Sequence, residues 1–197
     1  MASVKISLLL FLAAISEALH GQAEHDSVNL LLKHKLETIY DLDQKYRLTS
    51  DWKMVRKMDS INQKEIIQIL DQHGWISEGI IGKKASAAIF LVIQHADLRI
   101  QEKYLPIMRT AVKSGAARIT DLALLEDRVL MRQGRKQIYG SQVVRNSEGN
   151  WIVYPIEDPT HVDKRRLEIG LLPIADYLNK LGVTWNLEEQ LRLQNEN

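Results

Sequence analysis

The chain predicts a mainly α-helical fold, a single-domain helical array with one β-hairpin near the C-terminal third, on three observations. Between Asp26 and Gly134 apolar residues recur at three- and four-residue steps, the period of an amphipathic helix. Within that region Ala85–Ile93 is an apolar run without a polar stripe, the pattern of a helix surrounded by other helices. Beyond Gly134 the texture turns to Val, Ile, Tyr and Trp, divided by Asn146-Ser147-Glu148-Gly149 as two strands are divided by a turn.

The first helix spans Asp26 to Arg47, with Val28, Leu31, Leu32, Leu36, Ile39, Tyr40 and Leu42 on its apolar face and Asp26 or Ser27 as its cap. A second piece runs from Ser50 or Asp51 through Met58 and a third from Asn62 to Gln72, where His73-Gly74 stops it. Gly79 and Gly82 loosen the chain before the central apolar helix. From Leu98 a helical pattern continues to Lys113, and Pro106 should bend it near Tyr104, since proline donates no backbone hydrogen bond. Thr120 or Asp121 opens the next helix, which ends near Gly134. Strands follow over Gln137–Arg145 and Asn150–Ile156, and two strands alone are marginal in water, so the hairpin must lie on the helices. Pro155 and Pro159 end the second strand, Gly170 stops the helix after it, and a short last helix covers Pro173–Leu181.

A chain of 197 residues with 45% hydrophobic content fits one globular domain with a single sizeable core. Lys plus Arg of 26 against Asp plus Glu of 25 leaves a net charge of +1, which argues against nucleic acid as a partner. Lys164-Arg165-Arg166, the one dense basic run, reads as a solvated helix face, with an anion site as the alternative. Residues 1–23 read as a signal peptide, with Lys5 ahead of an apolar Ile6–Ile15 and small residues at Gly21-Gln22-Ala23. That apolar run is too short to span a bilayer, so no permanent membrane anchor is expected. The resulting organisation is a signal peptide over 1–23, a globular helical domain over 24–185 and a polar tail over 186–197, in a protein exported to a bacterial periplasm or secreted. The absence of cysteine excludes disulfides, thiolate metal sites and thiol nucleophiles. No HExxH, GxSxG, GxGxxG or phosphate-loop signature occurs, and His73, His95 and His161 are isolated, so neither metal nor cofactor is expected.

Three polar clusters are candidates for chemistry. The central helix ends in Gln94-His95-Ala96-Asp97, and at about 100° per residue Gln94, Asp97 and Gln101 share one stripe while His95, Arg99 and Glu102 share the next. His95 then acts as general acid or base, Asp97 or another carboxylate orients it, and Gln94 or Gln101 grips a polar substrate. The alternative is that His95 and Asp97 merely cap a helix end, and a direct pair between them needs a break in the helix. Glu126-Asp127-Arg128 interrupts a second, mostly apolar helix, where a buried carboxylate is costly without a partner. Asp127 or Glu126 would support the histidine and Arg128 hold an anion, or the acids form structural ion pairs. In Gln137-Ile138-Tyr139-Gly140-Ser141-Gln142, strand alternation puts Gln137, Tyr139 and Ser141 on one side and Gln142 on the other. Such amides and a phenol suit recognition of a polar substrate, or a hairpin stitched to helices by buried hydrogen bonds. The assignment is His95, Asp127 and Tyr139 as catalytic, with Gln94, Asp97, Gln101, Arg128, Gln137 and Gln142 binding the substrate.

Gln94-His95-Ala96-Asp97, Gln101, Asp127-Arg128, Gln137-x-Tyr139-Gly140-x-Gln142, Pro155-x-x-Asp158, Arg165-Arg166 and Gly170-Leu171 together resemble an uncharacterised bacterial domain-of-unknown-function family. The resemblance runs from about Leu36 to Leu181, and the family places threonine where Ser141 stands here, a change that keeps the hydroxyl. It implies a shared fold and a polar site formed where the three clusters converge, not a reaction. The function expected is an exported, hydrolase-like enzyme acting on a small polar molecule. The alternative is a non-catalytic envelope module that binds a polar ligand or a protein partner. A lysozyme-like glycosidase is a weaker third reading, since it needs a second carboxylate across an open groove.

Overall fold

The structure is a computed structural model and describes residues 26–195; the expected signal peptide lies outside the described residues. Helix α1 occupies residues 26–48. Asp51 accepts a hydrogen bond from the Met54 amide and so caps α2, which runs unbroken over Trp52–His73 to a left-handed Gly74. The sequence predicts two pieces here. They fuse because Val55, Asp59, Asn62 and Ile66 follow one another at helical spacing, so Asp59 and Asn62 lie on the inward stripe and do not interrupt it.

A short α3 (Glu78–Ile81) leads into α4 (Lys83–His95), which packs against α2, α3, α5 (Leu98–Lys113) and α6 (Ile119–Arg132), the surrounded position its apolar run predicts. α5 continues through Pro106 without ending, since the proline sits on the exposed face where a freed carbonyl is open to solvent. A break in the helical path falls at Ala96-Asp97. There Asp97 accepts from the Ile100 amide at 3.0 Å and caps α5, while Gln101 Nε2 donates to the Gln94 carbonyl at 2.8 Å. Arg132 donates to the Ala96 carbonyl from α6, so the corner's free acceptors find partners.

The hairpin is smaller than predicted. β1 (Val143–Arg145) pairs antiparallel with β2 (Trp151–Val153), Val144 opposite Ile152. Residues 137–142 form a largely buried loop, joined to the segment after β2 by an isolated bridge between Gln137 and Ile156 and by the Tyr154 amide, which donates to the Gln142 carbonyl at 3.1 Å. A 3₁₀ turn (Pro159–His161), α7 (Val162–Glu168), α8 (Ile174–Asn179) and α9 (Leu187–Asn195) complete the described chain. α9 falls in the expected polar tail. Its Gln190 is 2% exposed, accepts from the Ile156 amide at 3.0 Å and donates to the Val153 carbonyl at 3.1 Å, which ties the helix to the hairpin.

The sequence predicts one core, whereas two apolar clusters form among the described residues. The larger joins α1, α2, α4, α5 and α6 around Leu36, Ile66, Ile89, Ile93, Met108 and Leu125. The smaller gathers Val153, Ile156, Val162, Ile174, Leu178 and Val183. The basic run corrects a second expectation: Arg166 is 1% exposed and Arg165 half-buried, and neither is a solvated helix residue.

Candidate functional site

Loop 137–142 lies beside α6, and between its ends, where Gln137 and Gln142 pair with the backbone of residues 154–157, the groups of residues 138–141 have no strand to pair with. Side chains replace the missing ladder. Asp127, with no exposed surface, accepts from the amides of Ile138 at 2.7 Å, Tyr139 at 3.0 Å and Ser141 at 2.9 Å. The carbonyls on the same loop are taken from the other direction. Arg165 donates to Ile138 O at 3.0 Å, Arg166 to Tyr139 O at 2.6 Å, and Tyr177 to Ser141 O at 3.0 Å. Gln137 closes the loop on itself, accepting from the Gln142 amide at 2.8 Å and donating to the Gln142 carbonyl at 3.0 Å. Burial pushes the Asp127 carboxyl up, and the amides of Tyr139, Ser141 and Ile138 pull against that shift. Arg166 also stacks on Tyr177, its guanidinium 4.8 Å from the ring centre.

This knot accounts for Asp127, Gln137, Gln142, Gly140, Arg165 and Arg166 without any ligand. Gly140 is held at φ +70°, and a Cβ there would sit 2.3 Å from Ile174 Cδ1 and 2.8 Å from Ile156 Cδ1, so the loop can pack into the smaller core only as glycine. Gln142 Nε2 reaches the Leu124 carbonyl at 3.4 Å, and Gln94 Nε2 reaches the same oxygen at 3.3 Å, which seams the hairpin to the central helix. Asp97 and Gln101 are committed to the α4–α5 corner described above. Glu126 pairs with Arg109 of α5 at 2.8 Å. The charges around the Tyr139 phenol are Glu126, Asp127, Arg165 and Glu168, none of which belongs to the surroundings of His95.

His95 is left with a different set of partners. As the last residue of α4 its ring leans toward α1, where Nδ1 lies 3.3 Å from Asp43 Oδ1. The Asp43 side chain is only 2% exposed; the His95 side chain is 22% exposed. Arg47, one turn beyond Asp43, reaches Asp43 Oδ1 at 3.1 Å and Asp59 of α2 at 2.5 Å, so a guanidinium bridges two carboxylates from two helices. Burial alone would raise the Asp43 carboxyl, but the hydrogen bonds from His95 and Arg47 outweigh it and hold Asp43 at about 2. Asp59 moves the other way, raised by burial despite the attraction of Arg47. An ionised Asp43 only accepts hydrogen bonds, so the contact requires the proton on His95 Nδ1 and leaves Nε2 as the basic nitrogen of the neutral ring.

Oxygen and nitrogen atoms of Asp43, Asp59 and His95 lie within 4.8 Å of one another, a spacing compatible with one metal ion. The chemistry of the set does not favour it. The Arg47 guanidinium already occupies the cationic position between the two carboxylates, and a metal would have to displace it. Arg128 completes the neighbourhood from α6. Its Nε is buried with no hydrogen-bond partner, and burial, with repulsion from Arg132 and Arg47, lowers it to about 10.

The three predicted clusters therefore do not converge as drawn. Gln94, Gln142 and the α6 backbone meet, but Asp127 is bonded to the loop amides and the His95 ring to Asp43, with no hydrogen bond between the two groups. The partners that reach His95, namely Asp43 with Arg47 and Asp59 behind it, come from the first two helices. One sequence signal could have found them: Asp43 follows Leu36 and Ile39 at helical spacing, and Asp59 sits between Val55 and Ile66, so each carboxylate stands where an apolar side chain is due.

What the fold and site define is a class of helical domain built around a side-chain-braced loop, with a His–Asp–Arg cluster at the end of its central helix. The chain belongs to a family of unknown function, DUF6624, whose model matches residues 48–190. That span holds Asp59, His95 and Arg128 and begins just after Arg47. No curated protein and no solved structure matches the chain. Among the described residues no helix is long and apolar enough to cross a membrane.

Proposed function

We propose that the protein is an exported, hydrolase-like enzyme for a small polar molecule, in which His95 moves the proton. The observation that carries this reading is the contact of a partly exposed imidazole, at 3.3 Å, with a buried carboxylate held at about 2. A carboxylate so placed fixes the tautomer of the ring and stabilises the imidazolium formed when Nε2 takes a proton, the role a general base requires of its orienting partner. Asp43 and Arg47 are positioning residues. Asp127, which the sequence suggests as a catalytic acid, has no part in this reading because its lone pairs already hold the loop. The Tyr139 phenol has none either, since its charged neighbours are not those of His95.

The test is depletion of compounds from a pooled extract of small polar metabolites, followed by mass spectrometry, with wild type, His95→Ala and Asp43→Asn in parallel and folding checked by circular dichroism. Wild type should consume at least one compound, with the rate falling roughly 100- to 10,000-fold in His95→Ala. If the folded His95→Ala variant depletes the same compounds at the same rate, or wild type binds compounds and converts none, the enzyme reading is overturned. The second outcome would leave the non-catalytic envelope module that binds a polar ligand.

A further inference from the structure

Arg128 is the charged group that the loop knot and the His95 cluster leave unexplained. Among the described residues no carboxylate pairs with it: Asp127 is spent on backbone amides, Glu126 on Arg109, and Asp43 and Asp59 on Arg47. Its charged neighbours are Arg132 and Arg47, with the Tyr177 phenol the one group that favours its charge, and its Nε is sealed from solvent without a partner. Arg128 itself is only partly buried, but a guanidinium nitrogen sealed without an acceptor costs free energy that an anion bound to the rest of the group would offset. One turn earlier on α6, the Leu124 carbonyl takes the amide nitrogen of Gln94, and the Oε1 of the same side chain is buried with no donor. The residue whose carbonyl holds the Gln94 amide and the residue with the unpartnered Nε thus lie one turn apart on α6.

We propose that Arg128 is the anion-binding residue of this site and that its ligand carries a carboxylate or phosphate with a neighbouring hydroxyl or amide N–H. The oxyanion docks on the guanidinium, whose planar fork matches two oxygens of either group. The hydroxyl or N–H serves Gln94 Oε1. The inference deepens the enzyme reading by naming the substrate class, and it uses a residue next in sequence to the imidazole, since Gln94 precedes His95. Its test needs no turnover, so the two fail separately.

The experiment uses the full chain at constant ionic strength in chloride, inorganic phosphate, acetate or glycolate, with wild type, Arg128→Met, Gln94→Leu and His95→Ala. In chloride, Arg128→Met should melt no lower than wild type, because the sealed Nε that lacks an acceptor is replaced by an apolar chain of similar length. Phosphate or glycolate should raise the wild-type melting temperature beyond chloride. That increment should vanish in Arg128→Met and persist in His95→Ala, whereas general salting-out would persist in both. Glycolate should exceed acetate in wild type but not in Gln94→Leu. The relative size of the phosphate and glycolate increments separates a phosphate ligand from a carboxylate one. As a second readout, the Arg128 Nε–H resonance of wild type should shift and saturate on anion titration, a measurement that does not depend on any variant folding. An anion increment unchanged in Arg128→Met, an Arg128→Met variant that melts well below wild type in chloride, or an Nε–H resonance indifferent to every anion would each overturn the assignment.

Discussion

Burial pushes Asp43 toward the neutral acid, and the donors around it pull harder the other way, holding it at about 2 against an ordinary 3.8. A carboxyl whose acidity is greater in the folded than in the unfolded chain adds stability that is complete above pH 3.8 and disappears as the pH falls through 2. A displacement of that size corresponds to about 2 kcal/mol. Asp43→Asn should therefore lose about 2 kcal/mol at pH 7 and close to nothing at pH 2, as urea unfolding across that range would show. Asp59, raised by burial and by the Asp43 charge, acts in the opposite direction, so the variant reads Asp43 together with the relief it gives Asp59. Equal destabilisation at both ends of the range would mean that His95 and Arg47 do not hold Asp43 in its charged form.

At the scale of elements, the unusual part is a loop whose ladder is made of side chains. Asp127 supplies the acceptors, while Arg165, Arg166 and Tyr177 supply the donors, so elements far apart in sequence are pinned to six consecutive loop residues. The arrangement depends on Gly140, where the backbone is left-handed and two isoleucine methyls fill the space a side chain would need. Gly140→Ala combines that strain with overpacking and should cost about 2–4 kcal/mol, read as a drop in the urea midpoint. Faster amide exchange should accompany it at Ile138, Tyr139 and Ser141, whose N–H groups rest on Asp127. Loss of stability without faster exchange at those amides would show that the glycine serves the smaller core and not the knot.

At the scale of the molecule, two apolar cores meet across a polar seam, and α9 is the outer fastener of the smaller one. Gln190 accepts from the Ile156 amide and donates to the Val153 carbonyl, so one side chain bonds the backbone on either side of Pro155. Gln190→Ala removes both hydrogen bonds and should cost about 1–3 kcal/mol, with loosening measured by hydrogen exchange concentrated on Ile156 and not on the α4 core. If the whole chain loosened equally, the two cores would be one cooperative unit.

Much of this organisation is legible along the chain. The α1 periodicity, the surrounded central helix, the turn at Asn146–Gly149 and the helix stop at Gly74 all follow from local patterns of apolar and turn-forming residues. Short-range rules hold there because each depends on residues three or four apart, or on backbone angles that one residue type favours. The polar motifs were visible as clusters, but their duties were not. Whether Asp127 faces a substrate or a set of backbone amides depends on a loop that follows α6 through a left-handed glycine. What orients His95 is an aspartate 52 positions earlier in the chain. The sequence by itself determined which stretches become helices and which residue types carry charge inward. Only the tertiary structure decided which charges meet, because pairing across helices is set by the packing of distant apolar faces, and that distance leaves no periodic trace between the partners.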